Sequence, residues 1–179
     1  MLYTLAYSSV HYRRVSDQHA FLLQRVQPAM VGLTDGSLST LAPIFGIALA
    51  THRPIFAFIA GLVTAIGAGV SMGFSEGLSD TGELTGRGRP LVRGSITGAG
   101  TFAGGILHTL PFLIPHYQAA LITAGVVVFV ELLLLAWLQW RYLNVAFTRA
   151  LALVTFAGII IGASSAGLGN LIGQHSLAP

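Results

Sequence analysis

The sequence predicts an all-α polytopic membrane protein of five transmembrane helices, amino terminus inside and carboxyl terminus outside. Three observations predict it. Of the 179 residues, 54% are hydrophobic and 8% are charged, where soluble domains carry about a quarter charged. Five mostly apolar runs of roughly 20 residues, the length a helix needs to cross ~30 Å of hydrocarbon, follow one another along the chain. Cationic residues collect in alternate connections, as they do when those connections stay in the cytoplasm.

The elements follow in order. Residues 1–27 form a cytoplasmic amphipathic arm in which Phe21, Leu22, Leu23 and Val26 lie beside arginines, either at the membrane interface or as a partner-binding segment. Met1 to Val10 lacks the ordered regions of a cleavable signal peptide and is read as mature sequence. The expected spans are residues 28–50, 54–78, 94–114, 118–140 and 149–173, which together make the 28–173 transmembrane domain, and residues 174–179 are an outer tail. Only Thr51, His52 and Arg53 separate the first two spans, with Pro54 starting the next helix. Pro115 punctuates the third connection.

Every basic residue is an arginine. Arg13, Arg14 and Arg25 precede the first span, Arg87, Arg89 and Arg93 follow the second, and Arg141 and Arg149 flank the loop after the fourth, while Arg53 stands alone on the opposite side. That asymmetry sets the direction of the chain. Clustered arginines at loop positions give no nucleic-acid-binding surface. The absence of cysteine excludes disulfides and thiolate metal sites, leaving carboxylate, imidazole, thioether, hydroxyl and backbone oxygen as ligands.

Within the spans, a few residues stand out because an uncompensated charge in lipid costs several kcal/mol. Asp35 sits about 10 Å into the first span. Thr64, Ala68, Met72, Glu76 and Asp80 recur at fourfold spacing and share one stripe of the second helix. Because the first span enters where the second leaves, Asp35 and Met72 are expected at similar depth, with Glu76, Asp80 and Glu83 as an acidic cytoplasmic mouth. Pro43 frees the carbonyl of Ser39, which is one turn from Asp35, so both Ser39 oxygens are candidate ligands. The bland readings stay open: Met72 as core filler, Glu76 as a solvated helix end, Asp35 as a cap or structural hydrogen-bonding group. Glu131, alone near the middle of the fourth span, is either a proton site or a buried group kept neutral by desolvation. His108 and His116 are placed near the outer face, where interfacial hydrogen bonding is favoured over ion binding. Ala65, Gly69, Gly73 and Gly77 form a ridge for close helix contact, as do Gly158, Gly162 and Ala166 in the last span, with Asn170 on that face bonding a neighbouring helix.

Val31-Gly-Leu-Thr-Asp-Gly-Ser-Leu-Ser39 followed by Gly67-Ala-Gly-Val-Ser-Met-Gly73 resembles the paired signature of vacuolar iron transporters. Ser71-Met-Gly-Phe-Ser-Glu-Gly-Leu-Ser-Asp80, Leu84-Thr-Gly-Arg-Gly88 and His108-Thr-Leu-Pro-Phe112 look most like the membrane domain of bacterial membrane-bound ferritin iron exporters. The resemblance covers about residues 28 to 173. It implies a homodimer whose ion path is lined by Asp35 and Met72, with Glu76 at its cytoplasmic end. It also implies Fe²⁺, with Mn²⁺ as second candidate, exported from the cytoplasm across a bacterial cell membrane in exchange for protons. The metal is then cargo, no cofactor is permanently bound, the protein is not an enzyme, and its partners are lipid, a second copy, the ion and protons. Asp80 and Glu83 would form the cytoplasmic mouth, and Ser39, Thr64 and Glu131 would line the path or couple protons.

Departures from the family pattern matter. Plant members carry further acids where this chain has Thr64 and Pro28, and a long metal-collecting domain where residues 79–93 are a short basic loop. The paired Glu-x-x-His motifs of a di-iron domain are absent, so iron storage is not expected. Two rivals remain. Loss of carboxylates fits a non-transporting membrane adaptor, and Gly162-Ala-Ser164-Ser-Ala with His108 as base loosely resembles an intramembrane serine protease, whose final glycine is missing.

Overall fold

The computed structural model describes residues 17–176, with side chains through Leu171, and among these residues it is helical without strands. Four helices are long and apolar enough to cross a membrane: Asp17–Thr51, Pro54–Ser79, Tyr117–Leu143 and Phe147–Leu171. Of the expected arm, residues 1–16 lie outside the described region. The remainder continues the first helix without a break at residue 28.

That first helix has two irregular turns, and each is next to a proline. At Leu22–Val26 the turn widens, with the Gln27 amide donating to the Leu22 carbonyl, because Pro28 has no amide for the Gln24 carbonyl and its ring crowds that turn. At Thr40 the helix divides into α1 (Gln27–Ser39) and α2 (Leu41–Thr51), one turn before Pro43. His52, in the left-handed conformation, turns the chain into α3 (Pro54–Ser79).

The third expected span, residues 94–114, is not one apolar helix. The chain forms α4 (Pro90–Leu107), breaks at His108, makes a 3-10 turn at Leu110–Leu113 and starts α5 at Tyr117. The Leu-Pro-Phe-Leu-Ile-Pro stretch causes the break, since neither proline can donate to a helical ladder. α4 is poor in large apolar residues because protein covers it, α1 on one side and α3 on another. A Cβ on Gly94 would come 2.5 Å from the Gly73 carbonyl oxygen, and one on Gly98 would come 2.6 Å from that of Gly69. On the other side, a Cβ on Gly32 or Gly36 would collide with the Thr97 or Thr101 carbonyl. Glycine lets these backbones touch, as the ridge of α3 predicted.

The last two helices are α5 (Tyr117–Leu143) and α6 (Phe147–Ser176). α6 packs on α2 and α5, but the expected ridge does not form its closest seam. Gly162 has nothing within contact distance, whereas a Cβ on Gly169 would lie 2.5 Å from the Gly46 carbonyl, with Ser165 buried on the same face. Asn170 is exposed.

Two contacts define the ends of the bundle. Gln24 donates to the Gly86 carbonyl, which puts the 80–89 loop beside Arg25, and Arg141, Tyr142 and Asn144 line a groove with Asp17 and Phe21. At the other end the His52 and Tyr117 rings meet at a tilt of 58°, with their centroids 4.9 Å apart. The segment 90–116 therefore runs from the arginine-rich end to the opposite end. The part beyond α4 is covered on one side: His108, Thr109, Pro111 and Phe112 are buried, with Phe112 packed on Ile44, Ala48, Ala57, Ala120 and Ala124, while Leu110 and Leu113 are exposed. Irregular backbone inside an apolar bundle is tolerated where protein shields it in this way.

Candidate functional site

Two groups of polar residues are set into this apolar frame. The first closes the arginine-rich end. Glu76, in the last turn of α3, receives Arg87 at 2.7 Å and Arg93 at 2.9 Å on the same oxygen. Asp80 receives Arg87 at 3.1 Å and Arg93 at 3.4 Å. The guanidinium of Arg93 is fully buried and also reaches the carbonyls of Glu76, Asp80 and Gly88, capping the end of α3. Burial alone would raise the Asp80 carboxyl, but hydrogen bonds from Thr85, the Gly82 amide and Arg87, with the charge of Arg93, hold it below the ordinary carboxylate range. The expected acidic mouth is thus neutralised, two carboxylates by two arginines. Glu83 is exposed and takes no part. Arg93 counted in the sequence only as a loop charge, and nothing in its spacing announced a buried cap.

The second group lies inside. Asp35 is half-buried on α1 and makes no hydrogen bond or ion pair among the described residues. Ser39, one turn further along the same face, has a buried hydroxyl with no partner. Met72 and Thr64 are half-buried on α3, which touches α1. Asp35 and Ser39 are therefore unpartnered, while Glu76, read with Asp35 and Met72 as a ligand, is held by arginine instead. Among the described residues, no group of three or more histidines and carboxylates converges as a metal site.

Glu131 is not isolated. Its Oε2 lies 2.7 Å from His108 Nδ1, and its Oε1 accepts from the Ser37 hydroxyl at 3.2 Å. His108 Nε2 lies 2.6 Å from the Thr40 hydroxyl oxygen, and Thr40 in turn donates to the Gly36 carbonyl at 2.8 Å. All four side chains are buried. Glu131 is fourteen residues beyond Tyr117, so this cluster lies ~21 Å from that end of α5. Thr40, eleven residues before Thr51, gives a similar depth of ~16 Å. His108 is accordingly in the middle of the bundle and not near its outer face, because α4 ends there and the following residues climb the rest of the way through a 3-10 turn and extended backbone. His116 is exposed beside the start of α5.

Glycine seats this cluster. A Cβ on Gly104 would meet the Ser37 amide and hydroxyl at 3.0 Å, and one on Gly105 would meet Thr40 at 2.8 Å. Both ring nitrogens of His108 are engaged by Thr40 and Glu131, so the base required by a nucleophilic Ser164 is directed elsewhere, and Ser164 is exposed on α6. Comparison with protein-family models, curated proteins and solved structures finds no match.

Proposed function

We propose that this chain is a membrane transporter that exports a divalent transition-metal ion, Fe²⁺ first and Mn²⁺ second, in exchange for protons. The observation that carries this reading is the unpartnered pair on α1, the Asp35 carboxylate and the Ser39 hydroxyl one turn away. A buried hydroxyl without a bond costs ~1–3 kcal/mol and a carboxylate at membrane depth costs more, so both are kept at a loss unless something transient binds them. Met72, on the touching helix, adds a sulfur that favours a transition ion over Mg²⁺ or Ca²⁺. The resemblance in the α1 and α3 segments supplies the cargo and the direction.

In this reading the segment 90–116 is the third of five crossings, which places the arginine-rich end and the amino terminus in the cytoplasm and the carboxyl terminus outside a bacterial cell membrane. Arg87, about one quarter exposed, is the group a cytoplasmic cation displaces from Glu76. The protein works as a homodimer. A groove of about 490 Å³ between α3 and α4, lined by Val70, Phe74, Leu78 and Leu91 over a glycine floor, is the surface a second copy fills.

The test is Fe²⁺ uptake into proteoliposomes. Losing one charge-assisted ligand, ~1.5–3 kcal/mol, corresponds to ~10–100-fold, and Asp35→Ala is expected to lower flux by about that much, while Met72→Ala, which removes a neutral thioether, is expected to lower it less. Full flux in both variants removes the assignment. The neutralised mouth favours a second reading, a non-transporting adaptor. Cellular iron on overexpression separates the two: a transporter lowers it and an adaptor leaves it unchanged.

A further inference from the structure

The cluster at the break of α4 limits where its protons can lie. Thr40 has one hydroxyl hydrogen and two acceptors within reach, the Gly36 carbonyl at 2.8 Å and His108 Nε2 at 2.6 Å. When that hydrogen is on the Gly36 carbonyl, the 2.6 Å contact must be filled by a hydrogen on Nε2, because two lone pairs at that distance repel; when Thr40 donates to the ring instead, Nε2 is bare. Ser37 fills the Glu131 Oε1 contact with its own hydrogen. The 2.7 Å contact between His108 Nδ1 and Glu131 Oε2 holds in either case only if one proton lies on it, on the ring or on the carboxyl. The same geometry therefore accommodates two states: with a hydrogen on Nε2 the pair carries no net charge, and with Nε2 bare it carries one negative charge.

We propose that Glu131 and His108 form a buried one-proton site that loads on Nε2 and discharges through Thr40. Discharge balances as follows. The Thr40 hydroxyl proton passes to water, the Nε2 proton moves onto Thr40, and the new hydroxyl donates back to Nε2. Nδ1 keeps its hydrogen on the Glu131 carboxylate, so one proton leaves and the pair becomes an anion paired with neutral imidazole. Nothing beyond the two hydroxyls bonds to the pair among the described residues. The other charged residues on the elements around it, Asp35 on α1, Glu76 on α3, Arg93 on α4, Arg141 on α5 and Arg149 on α6, make no contact with it.

In a medium of low dielectric, the uncovered negative charge attracts a cation to the nearby path, and a bound cation expels the proton. Proton and cation occupancy then exclude each other. The one-proton site stands on geometry alone, whereas its coupling to cargo rests on the transport reading.

Two measurements separate these claims. In lipid-reconstituted wild-type protein without metal, nuclear magnetic resonance of nitrogen-labelled histidine, assigned with His108→Gln, is expected to show a protonated Nε2 that loses its proton as pH rises. In Glu131→Gln that transition is expected to disappear. A His108 whose Nε2 is proton-free throughout, or whose titration is unchanged in Glu131→Gln, overturns the site. In proteoliposomes with a trapped pH dye, Glu131→Gln is expected to reduce metal flux, and the remaining flux no longer depends on the pH gradient. Undiminished gradient dependence overturns the coupling. If wild-type protein moves no metal, the transport reading and the coupling fall together, and the resonance measurement still decides the proton site.

Discussion

Arg93 illustrates what one side chain contributes when it is removed from water. Its guanidinium is 0% exposed, yet it is satisfied on every side by Glu76, Asp80, Ser79 and three carbonyls. Desolvating a cation is costly, so its value lies in the completeness of that set, and removing the arginine leaves Glu76 and the end of α3 uncompensated. Arg93→Gln is expected to lower unfolding stability in detergent by ~3–5 kcal/mol, the cost of breaking a buried pair from one side. Arg87→Gln, acting on the same carboxylates from a partly exposed position, is expected to cost under ~1 kcal/mol, as exposed pairs do. Equal losses from the two variants would show that the burial of Arg93 has no energetic consequence.

The helices owe their arrangement to α4. It is held between α1 and α3 by backbone contacts in which glycine faces carbonyl oxygen, Gly98 on Gly69 and Gly94 on Gly73. In lipid the hydrophobic effect does not drive helices together, and association rests on close packing of this kind. A methyl group at Gly98 would force the helices apart against backbone, which no rotamer change relieves. Gly98→Ala is therefore expected to cost ~1–3 kcal/mol, the usual range for overpacking, in the same unfolding measurement. Gly125→Ala, in open space on α5, serves as the control and is expected to be neutral or slightly stabilising. The ridge of α3 was legible in the sequence because Ala65, Gly69, Gly73 and Gly77 repeat along one helix. Its counterpart, Gly94 and Gly98, has the same fourfold spacing, but that the two ridges face each other appears only when the helices are laid antiparallel in register.

At the scale of the whole molecule, exposed apolar side chains cover the outside of the bundle, as expected where lipid replaces water. The groove between α3 and α4 has a floor of glycines, and on the reading proposed above it is the surface that a second copy would fill. The chain has no cysteine of its own, so single introduced thiols report without background. Phe74→Cys, on the groove, is expected to form a disulfide-linked dimer in native membranes, while Phe156→Cys, exposed on α6, is not. The reverse pattern would move the interface to the opposite side.

What the sequence determined by itself is everything that depends on local pattern: a helical membrane chain, four of its spanning segments, the common side of its arginines and the ridge of α3. Each follows from composition or from a period along one helix, and neither needs a partner to be identified. The tertiary structure decided the pairings. Glu76 and Asp80 were an open acidic mouth as letters and became a neutral, arginine-capped end once α4 brought Arg93 beneath them. His108 and Glu131, 23 residues apart, were assigned to different depths, because helical spacing cannot foresee where a helix stops. The break after Leu107 brought them together with Thr40 and Ser37 in the middle of the bundle, and a bond between distant segments exists only after the chain has folded back on itself.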